Sequence, residues 1–355
     1  MSRIMSSDQQ LNTLFTRQGI KAQVLRKIVG PTFTRHEIGV DPFSFRLEQI
    51  LALEENIAYL LQSPEPPIIY PVYEQSKIVI DVVNRERSDV DFINLLSRVR
   101  DVSHCKLPMM LGCDVSGEPH VVDLAEFPHL LIAGTTGSGK SANLRSMLAS
   151  MIYLGRENLQ LIMIDPKAVE LSVFGDLNLA QVITDLEQVP DVLEYIYQQV
   201  ESRYQTLHRA GVSNINDVPG MSRIVLVIDE LADLVQSKKT INSDIQRIVQ
   251  KSRAAGIHVI AATQRPSVDV ISGVIKNNFP ARIAFRVASQ EDSRTILGCG
   301  GAEKLLGRGD MLYKQSANTY QRLQGTVINN QQIKTMLGTF SPKGGVWRSY
   351  KSCVG

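Results

Sequence analysis

Gly134-Thr135-Thr136-Gly137-Ser138-Gly139-Lys140-Ser141 fits the pattern G-x-x-x-x-G-K-[ST] without a mismatch. Such a match acquires meaning only between a strand and a helix. Leu130–Ala133 before it is a short apolar run, and Leu144, Met147, Leu148, Met151 and Ile152 after it recur at the spacing of one helical face. The octapeptide therefore has the surroundings of a phosphate-binding loop. Glycines let the backbone wrap closely around phosphates, and amides at the helix N-terminus meet negative charge. Lys140 has the reach for β- and γ-phosphates, and the Ser141 hydroxyl suits Mg²⁺. All eight residues, Gly134 to Ser141, are expected to line a site for ATP.

Arg223-Ile-Val-Leu-Val-Ile-Asp229-Glu230 reads as a buried strand ending in two carboxylates. With a phosphate loop upstream, Asp229 fits the water shell of Mg²⁺, and Glu230 fits the polarisation of the water that attacks the γ-phosphate. Taken alone, such a pair is equally a helix N-terminal charge. Ile257–Ala262 is a further apolar strand, followed by Thr263-Gln264. Strand C-termini line the ligand edge of a parallel sheet, so Gln264 is placed to sense the γ-phosphate; its bland alternative is a solvated loop amide.

These strands, with Leu159–Ile164 and Ile283–Val287, alternate with helical stretches and predict an α/β fold with a largely parallel sheet covered on both faces. Met109–Asp114, a Gly117-Glu118-Pro119 turn and Val121–Leu124 predict a hairpin, and Tyr320–Ile328 a late strand. Residues 1–104 have a different, α+β texture. They show strand-like pieces at Lys27–Val29 and Thr32–Ile38 around Gly30-Pro31, a helix from Phe45 to Leu61, and an alternating strand at Lys77–Val83.

The chain of 355 residues is long enough for about two domains. Its 38 basic and 36 acidic side chains exclude a uniformly basic nucleic-acid coat, so any contact with DNA must be local. Cys105, Cys113, Cys299 and Cys353 are dispersed, which argues against a disulfide framework or a zinc site. An apolar leader and an apolar run of membrane-spanning length are both missing, and the expectation is a cytoplasmic protein.

The wording around these motifs narrows the family. His129-Leu-Leu-Ile-Ala-Gly-Thr-Thr-Gly-Ser-Gly-Lys-Ser141, Met163-Ile-Asp-Pro-Lys167, Ile228-Asp-Glu-Leu-Ala-Asp233, Ser252-Arg-Ala-Ala-Gly-Ile-His258 and Ala262-Thr-Gln-Arg-Pro-Ser267 closely resemble FtsK/SpoIIIE DNA translocases. So do Ile275–Phe285, Asp292–Leu297 and Leu306–Leu312, all in the family's order. The resemblance implies a RecA-like P-loop ATPase domain over residues 105–355, a smaller N-terminal domain over 1–104, a hexameric ring and double-stranded DNA in its channel. Carried over by position, Arg253 would be an arginine finger reaching the neighbouring subunit's γ-phosphate. Arg265, Lys276 and Arg294 would face DNA, with Arg282 a weaker addition; each is otherwise an ordinary solvated cation.

Departures from the family pattern are also legible. Gln290 stands where members commonly carry a lysine, which weakens one presumed phosphate contact. The family's membrane-spanning helices and terminal winged-helix domain are not expected here. Asp165, Pro166 and Lys167 match in identity and suggest only a structural role at the site's edge. The resulting expectation is an ATP-driven duplex-DNA motor, in chromosome or plasmid segregation or in DNA transfer. An ATPase of protein secretion and a nucleotide-gated DNA-binding scaffold are the alternatives.

Overall fold

A computed structural model describes residues 5–41, 43, 46–72, 75–155, 159–315 and 320–338. The chain forms two compact units, one of Met1–Val90 with Cys113–Glu118, the other of Asp91–Gly112 with Pro119–Gly355. The boundary expected at residue 104 thus falls inside the second unit, where Asp91 pairs with Val327 in an isolated bridge.

In the first unit, α1 (Ser7–Arg17), β1 (Ala22–Val29), β2 (Phe33–Val40), α2 (Leu47–Leu51), α3 (Glu54–Leu61), β3 (Ile68–Val72) and β4 (Lys77–Val83) follow in order. The strands make an antiparallel sheet, β1-β2-β4-β3. Ser6 begins α1 with a reciprocal cap: its Oγ accepts from the Gln9 amide at 3.3 Å, while Gln9 Oε1 accepts from the Ser6 amide at 3.0 Å. Leu11 and Phe15, one turn apart, then bury against Ile38, Ile57, Ile78 and Ile80.

Two local expectations are corrected here. The single helix from Phe45 to Leu61 is two helices, with Phe45 outside the described residues, because a turn at Ala52-Leu53 lets Ile50, Leu53 and Ile57 all enter the core. Strand β4 has the expected bounds, but it is buried at every position from Ile78, so both of its faces are covered and the expected alternation is absent.

The second unit contains α4 (Phe92–Ser97), β5 (Pro108–Cys113), β6 (Pro119–Asp123), β7 (His129–Ala133), α5 (Lys140–Leu154), β8 (Leu159–Ile164), β9 (Ala180–Ile183), α6 (Val189–Ala210) and β10 (Arg223–Ile228). It continues with α7 (Leu231–Ser237), α8 (Lys239–Lys251), β11 (Ile257–Thr263), α9 (Gly273–Asn278), β12 (Ala281–Phe285), α10 (Gln290–Leu297), β13 (Asp310–Lys314), β14 (Tyr320–Gln324) and α11 (Asn330–Leu337). The late strand ends at Gln324 rather than Ile328.

Among the described residues one sheet of ten strands runs β6-β5-β14-β13-β12-β7-β11-β10-β8-β9. From β12 to β9 its neighbours are parallel, and β13 and β14 add antiparallel strands beside β12. Every residue of β7, β10 and β11 is buried, the signature of strands covered on both faces. Each fully buried Leu, Ile or Val there contributes about 1.5–3 kcal/mol. Because β11 lies between β7 and β10, the loops leaving these three strands meet at one edge of the sheet.

Candidate nucleotide site

The loop after β7 arches back onto α5, whose first residue is Lys140. Gly137 and Gly139 take left-handed conformations, φ +77° and +98°, which a side chain would disfavour. A side-chain carbon at Gly139 would lie 2.3 Å from the Gly309 nitrogen, so the chain at 307–309 packs directly against the loop. The Gly309 amide also donates to Ser138 O at 2.8 Å. Thr135, Thr136, Gly137, Gly139, Lys140, Ser141, Ala142, Glu170 and Gln264 line a cavity of about 230 Å³. Gly134 and Ser138 are buried behind it.

Lys140 is buried and donates to Asp229 O at 3.1 Å, with its Nζ 3.7 Å from Asp229 Oδ1. Burial pushes the Asp229 carboxyl above its ordinary range; Lys140 pulls it back, while Asp165, Glu170 and Glu230 add to the upward shift. Asp229 Oδ1 is buried without a hydrogen bond. A carboxylate oxygen without a hydrogen bond among the described residues, facing a fixed ammonium beside a glycine-rich loop, fits phosphates with a hard cation.

Glu230 is anchored differently. Its Oε1 accepts from Thr263 Oγ1 at 2.6 Å, from the Gln264 amide at 3.2 Å and from the Ala232 amide at 3.3 Å, whereas among the described residues Oε2 accepts only from the Gln264 amide, at 2.9 Å. Gln264 in turn accepts on Oε1 from Thr136 Oγ1 at 2.7 Å, joining the end of β11 to the phosphate loop. Lys140, Asp229, Glu230 and Gln264 are thereby brought together.

Arg253 stands elsewhere. It is exposed between α8 and β11, beyond the N-terminal end of β11, while the phosphate loop leaves the C-terminal end of β7. The seven residues of β11 separate those edges by roughly 20 Å. Arg203 on α6, buried, fixes the Arg253 loop by donating to Ala255 O at 2.8 Å. His129 Nε2 lies 3.0 Å from Val249 O, and His258 Nδ1 lies 3.2 Å from Pro128 O. Burial holds both imidazoles down at about 3, so they are neutral struts between α8, β7 and β11.

The basic residues expected at DNA divide as well. Arg265 and Arg294 are exposed and Lys276 is half-exposed. The Arg282 guanidinium donates to Phe279 O at 2.9 Å, to Ile296 O at 3.0 Å and to Lys276 O, so it tethers α9 and α10.

Some functional positions were not singled out from the residues alone. Asp165 Oδ2 accepts from the Glu170 and Leu171 amides at 3.0 and 2.9 Å, closing the loop that sets Glu170 in the cavity wall. Lys167 pairs with Asp233 at 3.1 Å. Thr263, a hydroxyl at the end of the apolar run Val259–Ala262, was the available signal for the anchor of Glu230. Cys105 and Cys299 are free thiols, Cys113 is buried, and Cys353 lies outside the described residues. No helix among the described residues is long and apolar enough to cross a membrane.

Comparison with known proteins agrees with this geometry. The family model for FtsK/SpoIIIE matches residues 94–224 and 219–268, and that for the FtsK alpha domain matches residues 1–84. DNA translocase FtsK of Staphylococcus aureus strain Mu50 is 39% identical over 95% of this chain and 45% of its own. DNA translocase FtsK of Haemophilus influenzae is 38% identical over 96% of this chain and 72% of its own. DNA translocase SpoIIIE of Bacillus subtilis is 39% identical over 94% of this chain and 45% of its own. The chain therefore spans less than half the length of two of these relatives.

Among solved structures, the pCW3 conjugation coupling protein TcpA with ATPgS superposes with TM-score 0.63 at 22% identity, over 94% of this chain and 99% of that one. The cytoplasmic domain of the Thermomonospora curvata type VII secretion ATPase EccC reaches 0.61 at 21%, over 74% and 36%. These likenesses are of fold, an α/β P-loop ATPase architecture of the RecA-like kind. With matches across both units and relatives nearly 40% identical along almost its whole length, this chain belongs to the FtsK/SpoIIIE family.

Proposed function

We propose that this chain is an ATP-hydrolysing motor that moves double-stranded DNA through a homo-oligomeric ring; its relatives are named DNA translocases. The observation that carries the reading is the separation of Arg253 from its own phosphate loop, at opposite edges of one sheet. An arginine there serves a site only when a second copy docks on the cavity, which is the logic of a ring.

The chemistry follows from the side chains. Lys140 and the loop amides hold the β- and γ-phosphates of ATP. Ser141 and Asp229 would hold Mg²⁺, which would supply positive charge against the phosphates. Glu230 orients the attacking water and takes up its proton. Gln264, bonded to Thr136, is placed to respond when the γ-phosphate leaves. Arg253 of a neighbouring copy stabilises charge in the transition state. Arg265, Lys276 and Arg294 grip the DNA backbone, which makes movement largely independent of sequence.

The test is ATP turnover with and without duplex DNA, followed by displacement of a triplex-forming strand from linear duplex. Stimulation with directional displacement is expected. Stimulation by peptide and not by DNA would favour the secretion alternative, and DNA binding without turnover would favour the scaffold.

A further inference from the structure

The donors that hold Glu230 are distributed unevenly between its two oxygens. Oε1 takes Thr263 Oγ1 at 2.6 Å and two backbone amides, whereas among the described residues Oε2 shares only the Gln264 amide. The remaining acceptor capacity of the carboxylate therefore lies on Oε2. The Thr263 hydroxyl has one proton. It faces Glu230 Oε1 at 2.6 Å and Arg265 O at 3.3 Å, and the short bond to the carboxylate is the stronger. Its lone pair is then free to accept from the Arg265 amide, at 3.1 Å.

A continuous path thus runs from the Arg265 amide through the Thr263 hydroxyl to the carboxylate. Thr263 is fully buried, so no water stands ready to replace it. Its neighbour Gln264 makes the bond to Thr136 on the phosphate loop. Three consecutive residues hence touch the general base, the phosphate loop and the start of the segment that follows β11.

We propose that Thr263 is a positioning residue for hydrolysis: its hydroxyl occupies Oε1 of Glu230, leaving Oε2 for the attacking water, and ties that orientation to the segment beginning at Arg265. Movement of this segment on DNA then swings the general base into or out of line. The proposal rests on Glu230 being the general base of the function proposed above.

Thr263→Val removes the hydroxyl at nearly constant volume, and Thr263→Ser keeps it. The valine variant is expected to lose about ten-fold or more in kcat, the scale of a lost hydrogen bond to a charged group, with KM and nucleotide affinity unchanged. Its DNA-stimulated rate should fall towards its DNA-free rate, and the serine variant should restore both. Equal loss in the two variants, or a valine variant with full kcat and full stimulation, overturns the proposal. A crystal structure of Thr263→Val adds a readout that needs no turnover. Rotation of the Glu230 carboxylate away from β11 is expected, and an unmoved carboxylate overturns the positioning role. Absence of ATP turnover in the unsubstituted chain would instead overturn the motor reading, while the crystal structure would still decide what Thr263 does to Glu230.

Discussion

At the scale of single residues, the charge on Lys140 has a counter-charge before any phosphate arrives, because Asp229 O and Oδ1 lie within 3.1 and 3.7 Å of Nζ. Phosphates entering the loop take over that ammonium. Lys140→Ala removes it, and calorimetry should find no measurable ATP binding; unchanged affinity would detach the cavity from its assigned ligand. Glu230→Gln retains a hydrogen-bonding side chain but not the base, so binding should persist while turnover falls by ~10²–10⁴. Arg282 and Lys276 make an instructive pair, since only the first is bound to three carbonyls. Arg282→Ala should cost about 1–3 kcal/mol of stability, seen as a lowered melting midpoint. Lys276→Ala should leave the midpoint in place and flatten the salt dependence of duplex binding. Gln290→Lys should steepen it.

At the scale of elements, the phosphate loop is shaped from outside as much as by its own glycines. The segment before β13 presses Gly309 against Gly139, and Arg322 on β14 braces it through a buried two-pronged pair with Asp310, at 2.9 and 2.7 Å. Gly139→Ala meets both a left-handed backbone and the Gly309 nitrogen. Nucleotide affinity and melting temperature should fall together; a variant that binds as well as the parent would show that this contact yields freely. The opposite edge of the sheet carries a pH dependence. His129 and His258 stay neutral in the fold down to about 3, whereas the unfolded chain takes up protons near 6.5. Their contribution to stability is therefore complete above 6.5 and is lost as the pH falls towards 3. Between neutrality and pH 5 the loss should reach about 2 kcal/mol per histidine, measurable as a falling unfolding midpoint. A flat profile would mean that the imidazoles open to water without unfolding.

At the scale of the whole molecule, the sheet's polarity sets the division of labour. The phosphate loop after β7, Asp229 and Glu230 after β10 and Gln264 after β11 gather at the C-terminal edge, while Arg253 leaves from the other end. In the proposed ring, an Arg253→Ala variant should turn over ATP about 10³–10⁵ times more slowly, the worth of an arginine finger. Mixing it with Lys140→Ala subunits, each inert alone, should restore part of the rate, because some interfaces then pair an intact phosphate loop with an intact Arg253. No recovery in rings shown to contain both would place the finger within its own subunit or remove it altogether.

Strand cores at β7, β8, β10 and β11 and the phosphate loop between β7 and α5 were legible from residue order, because each is local. An apolar run, a glycine pattern and a carboxylate pair need no distant partner to be read. Gln264 was proposed from its place after an apolar strand, and Arg253 from the family's wording. Sequence could not show that Arg282 caps two helices, that Gly309 packs on Gly139, or that Thr263 saturates one oxygen of Glu230. Those facts depend on which strands become neighbours, and β11 comes to lie between β7 and β10 only when the sheet closes. A side chain's type was thus set by the sequence, but its hydrogen-bonding partner, and with it the distinction between a free cation and a structural tether, was decided by tertiary packing.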